Sequence, residues 1–167
     1  AGTCTLLAVQ PGNDDYNAAP QASIDVTINK AATTVTWSPT NTSVLTTDAP
    51  VTPDASPTVA TGGGAVSYSI ANAGGSGCTV DSSTGDIAFT TSGACQVTAT
   101  AAATDNYQSG SATVTFTITK ATQTITFGAL TDQAFGTGPY AISGSTDVTS
   151  LVLSFSTTTP TVCSVTG

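Results

Sequence analysis

The four cysteines carry the only covalent chemistry that this sequence of 167 residues offers. Cys78 and Cys95 lie 17 positions apart on either side of a turn sequence at residues 81–86, and a hairpin there would bring them side by side. Because the chain contains no histidine and no C-x-x-C spacing, a disulfide is favoured over a metal or redox site. Such a bond would stabilise the fold by about 3 kcal/mol through chain entropy.

The other reactive side chains are aspartates, which supply all ten acidic residues. The absence of histidine excludes Ser-His-Asp and Cys-His catalysis. Asp14, Asp15 and Asp105 are calcium candidates because that ion prefers oxygen ligands, although no loop has the fixed multi-aspartate spacing of a calcium site. Hydrolysis by paired carboxylates stays open for these residues and for Asp81 and Asp86. Aspartates in turns usually bond their own backbone, so we predict no enzyme, cofactor or metal site.

The sequence around these residues repeats with a period of about 90 positions. Three matched pairs establish the period: Cys4 with Cys95, Tyr16 with Tyr107, and Lys30 with Lys120. A fixed period of this kind is typical of an array of stacked units. We expect the C-terminal half of one unit in residues 1–30, a complete unit in 31–120, and the N-terminal half of another in 121–167. The joins after the two lysines have essentially no linker, which favours a semi-rigid rod.

The elements that must position the cysteines are β-strands. Threonine alternates with apolar residues throughout residues 113–119, which predicts a half-buried strand with threonine facing solvent. Further strands are predicted at residues 24–28, 34–37, 66–70, 87–90, 96–101, 124–127 and 151–156. Short strands separated by Gly- and Asp-rich turns predict an all-β fold of tandem immunoglobulin-like, antiparallel sandwiches, with seven strands in the complete unit. Trp37, its counterpart Phe127, and Tyr68 are expected in the core.

Composition excludes several classes of partner. The net charge is −8, with two lysines against ten aspartates, so no basic patch exists for nucleic acid or an anionic membrane surface. No stretch approaches the roughly 20 apolar residues of a membrane helix. The hydrophobic fraction of 39% supports a packed core rather than disorder. The lack of methionine and histidine suits an extracellular or cell-surface location.

Three sequence motifs correspond to the beginning, the middle and the end of one repeat, and the motif for the end stands first in the chain. Gln-Thr-Ile-Thr-Phe at residues 123–127 is an opening motif, residues 156–167 with Cys163 are a middle motif, and residues 2–5 followed by 13–19 are a closing motif. Together they resemble the tandem bacterial Ig-like repeats of large surface and secreted proteins. The resemblance implies adhesion, stalk or spacer roles at the cell surface, and it brings no catalytic residue.

The remaining two cysteines are predicted to bond outside residues 1–167. Cys4 corresponds to Cys95 and Cys163 corresponds to Cys78. Either the chain is a stretch of a longer tandem protein, or the end of one subunit and the start of the next combine by strand complementation. Direct joining would leave 7 residues between Cys163 and Cys4, against 16 between the other two cysteines, which favours the first explanation.

The function expected from these features is mechanical. The sequence predicts an extracellular repeat segment that forms a stalk, fibre or adhesin rod, stiffened by disulfides and short joins. Its partners would be neighbouring Ig-like units of the same longer chain or of adjacent subunits. The alternative is an adhesion module that binds a glycan or a host protein, which an exposed aromatic cluster on the complete unit would indicate.

Overall fold

The computed structural model describes residues 1–166. In that range the chain forms β-strands and no helix. In chain order the strands are β1 (Gly2–Ala8), β2 (Ala22–Ile28), β3 (Val35–Thr36), β4 (Ser43–Leu45), β5 (Thr58–Val59), β6 (Val66–Asn72), β7 (Thr79–Val80), β8 (Ile87–Ala88), β9 (Gly93–Ala101), β10 (Gly110–Thr119), β11 (Ile125–Phe127) and β12 (Gly144–Thr146). The predicted all-β class is confirmed, and the several small sheets are consistent with a β-sandwich. Across residues 1–166, no helix has the length and apolar character needed to cross a membrane.

The chain divides into two compact units, Ala1–Lys120 and a second that begins at Ala121. The first unit contains the β1–β2 hairpin, a four-stranded sheet in the order β4-β10-β9-β6, and the two-stranded pairs β3–β5 and β7–β8. The second contains the pair β11–β12.

The four-stranded sheet corrects two details of the predicted sandwich. Strands β6, β9 and β10 pair antiparallel as expected, but β4 pairs parallel with β10, so the sheet is mixed. Residues 31–120 also hold eight strands rather than seven, because the connections contribute the short pairs β3–β5 and β7–β8.

The core of the first unit lies against one face of this sheet. Along β9 and β10 the residues alternate: Cys95, Val97, Phe116 and Ile118 are buried, whereas the threonines of β10 face solvent. Trp37 is buried in the same core and donates an indole N–H hydrogen bond of 2.8 Å to the Ala55 carbonyl. Alternation with a period of two over residues 113–119 therefore predicted the buried face of β10 correctly.

Trp37 packs edge to face against Tyr68. The rings of Trp37 and half-buried Tyr68 lie 5.6 Å apart between centroids, at an interplanar angle of 61°. Gly85 has a positive φ of 80° and lies under the Tyr68 ring, where a Cβ would approach the ring to 3.0 Å. The β7–β8 turn thus needs glycine both for its backbone conformation and for space.

In the second unit, two expectations were wrong. Residues 151–156 are not a strand. Their counterpart β6 is held in place by β9, and residues 121–166 form no sheet other than β11–β12, so this segment has no ladder partner. Phe127, expected in the core, is 56% exposed, because within residues 121–166 its ring packs against Phe155 but no second sheet covers it.

Candidate functional site

The structure joins Cys78 and Cys95 in the disulfide that the sequence predicts, with their Cα atoms 6.0 Å apart. Its position differs from the predicted hairpin. Cys78 immediately precedes β7, which pairs with β8, while Cys95 lies in β9 between β6 and β10. The bond therefore links the four-stranded sheet to the small β7–β8 hairpin. Both cysteines are buried, so the bond is part of the core and not an exposed redox site.

A buried serine that sequence reasoning missed supports the disulfide. Ser76 is fully buried, and its hydroxyl lies 2.6 Å from the Ala73 carbonyl and 3.1 Å from the Ala94 carbonyl. Its backbone N–H also donates to the Ala73 carbonyl. These bonds hold the segment before Cys78 against the start of β9. No pattern in the sequence identifies Ser76, because its partner Ala94 is 18 positions away.

The aspartates of the β7–β8 turn serve the turn itself. The Asp81 carboxylate accepts hydrogen bonds of 2.8 Å from the backbone N–H groups of Ser83 and Thr84. These bonds, that of Thr84 foremost, hold the pKa of Asp81 below its ordinary value. Asp86 accepts from the Thr84 hydroxyl at 2.8 Å and from the Thr52 hydroxyl at 2.5 Å. Both carboxylates thus accept hydrogen bonds that shape the β7–β8 turn, and Asp86 also ties it to Thr52.

The structure does not gather the calcium candidates into a site. Asp14 and Asp15 lie in a turn organised by Asn13, whose side-chain oxygen accepts from the backbone N–H groups of Asp15 and Tyr16. Asp105 contributes its backbone carbonyl, which accepts from the amino group of Ala1. Within residues 1–166, no three His, Cys, Asp or Glu side chains converge as a metal site would require.

The join between residues 1–30 and 31–120 is tied down by hydrogen bonds. The Lys30 ammonium donates to the Thr104 carbonyl at 2.7 Å. Ala31 donates its N–H to the Asn106 carbonyl at 2.9 Å and accepts from the Gln108 N–H at 2.8 Å. The loop before β10 thus binds Lys30 and Ala31, which follow β2, through three hydrogen bonds. Sequence reasoning placed a boundary here but could not identify these partners, which are more than 70 positions away.

The β1–β2 hairpin has the register of the β9–β10 hairpin. In β1–β2, Cys4 lies opposite Val26 and Leu6 lies opposite Ile24. In β9–β10, the corresponding pairs are Cys95 with Phe116 and Val97 with Val114. Corresponding residues of the two hairpins are 91 positions apart in the first strand and 90 in the second. Because residues directly opposite each other share a face, both hairpins carry the same apolar face.

The apolar face is buried in the β9–β10 hairpin and exposed to solvent in the β1–β2 hairpin. Val97 and Phe116 are buried to 0% and 1% exposure, whereas their counterparts Leu6 and Val26 remain 53% and 45% exposed. Cys4, on the same face, is a free exposed thiol, while its counterpart Cys95 is in the disulfide. Within residues 1–166, the β1–β2 hairpin therefore has an apolar face that no packed layer covers.

Residues 121–166 carry a second exposed apolar surface, arranged around the other free thiol. Phe127 packs against Phe155 with ring centroids 5.6 Å apart, as Trp37 packs against Tyr68 in the first unit. An open cleft of about 430 Å³ is lined by Phe127, Leu130, Tyr140, Cys163 and Val165, among others. Cys163 is exposed and unbonded.

Comparison with known proteins found no matching family model, no matching curated protein and no matching solved structure. The resemblance to tandem bacterial Ig-like repeats therefore stays a prediction, and the geometry of the chain carries the argument for its function.

Proposed function

We propose that this chain is a structural, extracellular segment of repeated Ig-like β-sandwich units that forms part of a stalk, fibre or adhesin rod. The observation that carries the proposal is the common register of the β1–β2 and β9–β10 hairpins. Two hairpins with the same pairing, the same apolar face and a spacing of about 90 residues are what adjacent repeats of one unit would contain.

The junction at Lys30 and Ala31 supports a mechanical role. A rod must resist bending at its joins, and here three hydrogen bonds tie the end of one hairpin to the loop that precedes β10. In an array, each unit would hold its neighbour through the same contacts, which limits hinge motion.

The disulfide supports an extracellular location. Disulfides persist in oxidising compartments, and the Cys78–Cys95 bond crosses the core where it would oppose mechanical unfolding. The small number of charged residues and the net charge of −8 suit an exposed structural material with little affinity for nucleic acid.

The adhesion alternative has less support in residues 31–120. A glycan-binding face usually displays exposed aromatic rings, but in this unit Trp37, Phe89 and Phe116 are buried and Tyr68 and Tyr107 are half-buried. The five aromatic residues stabilise the core and the loops, so the structural role is the one proposed.

Electron microscopy of the native material tests this function, with antibodies against residues 31–120 used to locate the segment. We expect extended, beaded particles. The longest strand, β10, has ten residues and spans about 33 Å, so the beads should repeat every 30–40 Å or so. Compact particles in which the labelled units cluster without a common axis would contradict the proposal.

A further inference from the structure

We propose that residues 121–166 are an acceptor site for the β1–β2 hairpin of a second copy of this chain, and that Cys4 and Cys163 form an intermolecular disulfide across the contact. This inference rests on the repeat organisation proposed above. It adds a partner and a covalent link to that organisation.

The donor surface is the apolar face of the β1–β2 hairpin. Its side chains include Leu6, Ile24, Val26 and Ile28, all well exposed, and the thiol of Cys4 lies among them. The opposite face is polar apart from the exposed Leu7, and on it the Thr5 hydroxyl donates to the Asp25 carboxylate at 2.6 Å. A hairpin with one apolar and one polar face is stable when a second layer covers the apolar face.

The acceptor surface has the features that β9–β10 covers in the first unit. There, Trp37 packs at 6.2 Å from Phe116 of β10, and Cys78 bonds Cys95 of β9. The acceptor offers Phe127 in place of Trp37 and Cys163 in place of Cys78, both lining one open cleft. A hairpin bound like β9–β10 would place Val26 over Phe127 and Cys4 beside Cys163.

Residues 151–156 of the acceptor pair with no strand within residues 121–166, and β1 of the donor could pair with them. The run Ser154-Phe155-Ser156 corresponds to Ser67-Tyr68-Ser69 of β6, and in β6 Tyr68 lies opposite Ala99 of β9. The counterpart of Ala99 in the donor is Ala8 of β1, whose outer edge pairs with no strand among residues 1–166. Binding would add β1 to residues 151–156 and make that segment a strand.

A second copy fits because this chain carries both halves of the contact on different segments. Such a contact is heterologous, so it leaves a free donor on one copy and a free acceptor on the other, and it produces open chains. Because Cys163 and Cys4 belong to different copies, no loop has to connect them. Residues 1–30 of one copy and 121–166 of the other contain no counterpart of β8 with its buried Ile87, so we expect the contact between them to be less stable than residues 31–120.

The disulfide requires an oxidant, for which oxidised glutathione suffices. The Cys4 and Cys163 thiols each lose a proton and together lose two electrons as the S–S bond forms. Glutathione disulfide accepts them and is released as two glutathione thiols. The adjacent surfaces supply proximity, which favours this pairing over random cross-links.

The test uses the whole chain, oxidised by glutathione at increasing protein concentration and then digested with trypsin. Lys30 and Lys120 are the only cleavage sites, so digestion gives peptides 1–30, 31–120 and 121–167. We expect a ladder of disulfide-linked oligomers on non-reducing gels, and a mass for peptide 1–30 bonded to 121–167. An equimolar mixture of Cys4→Ser and Cys163→Ser chains should stop at a dimer carrying the same linkage.

Surface variants separate this contact from chance oxidation. Val26→Asp places a charge on the apolar face of β2, and its matched control Thr27→Asp places the same charge on the opposite, exposed face. We expect Val26→Asp to reduce the Cys4–Cys163 yield at least tenfold and Thr27→Asp to change it less than twofold. Hydrogen exchange of residues 151–156 should slow in the oligomer of the parent chain.

Three outcomes would overturn the inference: a chain that stays monomeric at high concentration, a Cys4–Cys163 bond that forms within one chain, or Cys4–Cys4 links as abundant as mixed ones. None of these would affect a beaded rod seen in the native material. A compact native particle would instead overturn the proposed function, so the two failures are distinguishable.

Discussion

Cys95 lies directly opposite Phe116 in the β9–β10 ladder, and the exposures of the two residues are 0% and 1%. The Cys78–Cys95 disulfide is consequently a central part of the core. It crosses from Cys95 in the four-stranded sheet to Cys78 in the segment before β7.

Removal of this disulfide should destabilise the first unit strongly. For the Cys78→Ala/Cys95→Ala chain we expect a loss of about 3 kcal/mol in unfolding free energy from chain entropy, and further loss from the space left in the core. Urea unfolding followed by the fluorescence of Trp37, the only tryptophan, measures the effect within this unit.

The matched control is Cys4→Ala/Cys163→Ala, which changes two exposed thiols. Its unfolding free energy in the Trp37 transition should stay within about 0.5 kcal/mol of the parent chain, as for most surface changes. Equal losses in the two double variants would mean that the buried bond contributes no specific stability.

The indole hydrogen bond of Trp37 should be measurable separately from its packing. Trp37→Phe removes the donor to the Ala55 carbonyl and part of the ring, and we expect a loss of about 1–3 kcal/mol. Tyr68→Phe keeps the aromatic contact with Trp37 and removes only a half-buried hydroxyl, so its effect should be smaller. Thermal unfolding followed by circular dichroism compares the two, and the reverse order would contradict this account.

Asp81 should make stability depend on pH in the acid range. Hydrogen bonds from Thr84 and Ser83 lower its pKa in the folded state, so its contribution is present above the unfolded pKa of about 3.9. The contribution is lost as the pH falls through the lower, folded value, where the carboxylate becomes protonated. Asp81→Asn should therefore flatten the decline of the urea midpoint below about pH 4.

The control for this titration is Asp105→Asn. Hydrogen bonds to the Asp105 side chain are absent among residues 1–166, where only its backbone carbonyl accepts. Asp105→Asn leaves the hydrogen bonds from Ser83 and Thr84 to Asp81 in place, so the decline of the urea midpoint that Asp81 causes should persist in this variant. A curve for Asp81→Asn that matched those of the parent chain and Asp105→Asn would show that the turn hydrogen bonds do not couple to folding.

The sequence predicted those parts of the fold that depend on residues close together in the chain. The alternation over residues 113–119 identified the buried face of β10, and the spacing of Cys78 and Cys95 indicated their disulfide, because short-range sequence sets strand faces and loop lengths. The mixed sheet was missed because pairing between β4 and β10, more than 70 positions apart, leaves no local signal.

The error at residues 151–156 has the same physical origin. A run of apolar and β-branched residues has strand propensity, but a strand also needs a neighbour for its backbone groups. β6 has that neighbour in β9, while its counterpart after Leu151 has none among residues 121–166. Ser76 shows the complementary case, since its importance comes entirely from burial and from carbonyl partners that no motif encodes.

The junction makes the last prediction. Lys30→Met keeps the aliphatic stem of the side chain and removes the ammonium that donates to the Thr104 carbonyl. We expect a local loss of about 0.5–1.5 kcal/mol, the usual net value of one hydrogen bond. Hydrogen exchange of the Ala31 and Gln108 amides, whose bonds lie beside this contact, should accelerate by roughly two- to tenfold, since 1.4 kcal/mol corresponds to a factor of ten.

Lys120→Met is the matched control, because it makes the same chemical change at the corresponding position and Lys120 donates no side-chain hydrogen bond within residues 1–166. It should leave the exchange of the Ala31 and Gln108 amides unchanged. If both variants accelerate exchange equally, the effect comes from the loss of positive charge on a chain with a net charge of −8 and not from the Lys30 contact. A difference confined to Lys30→Met would show that this single side chain stiffens the join, which is the property a rod requires of its repeats.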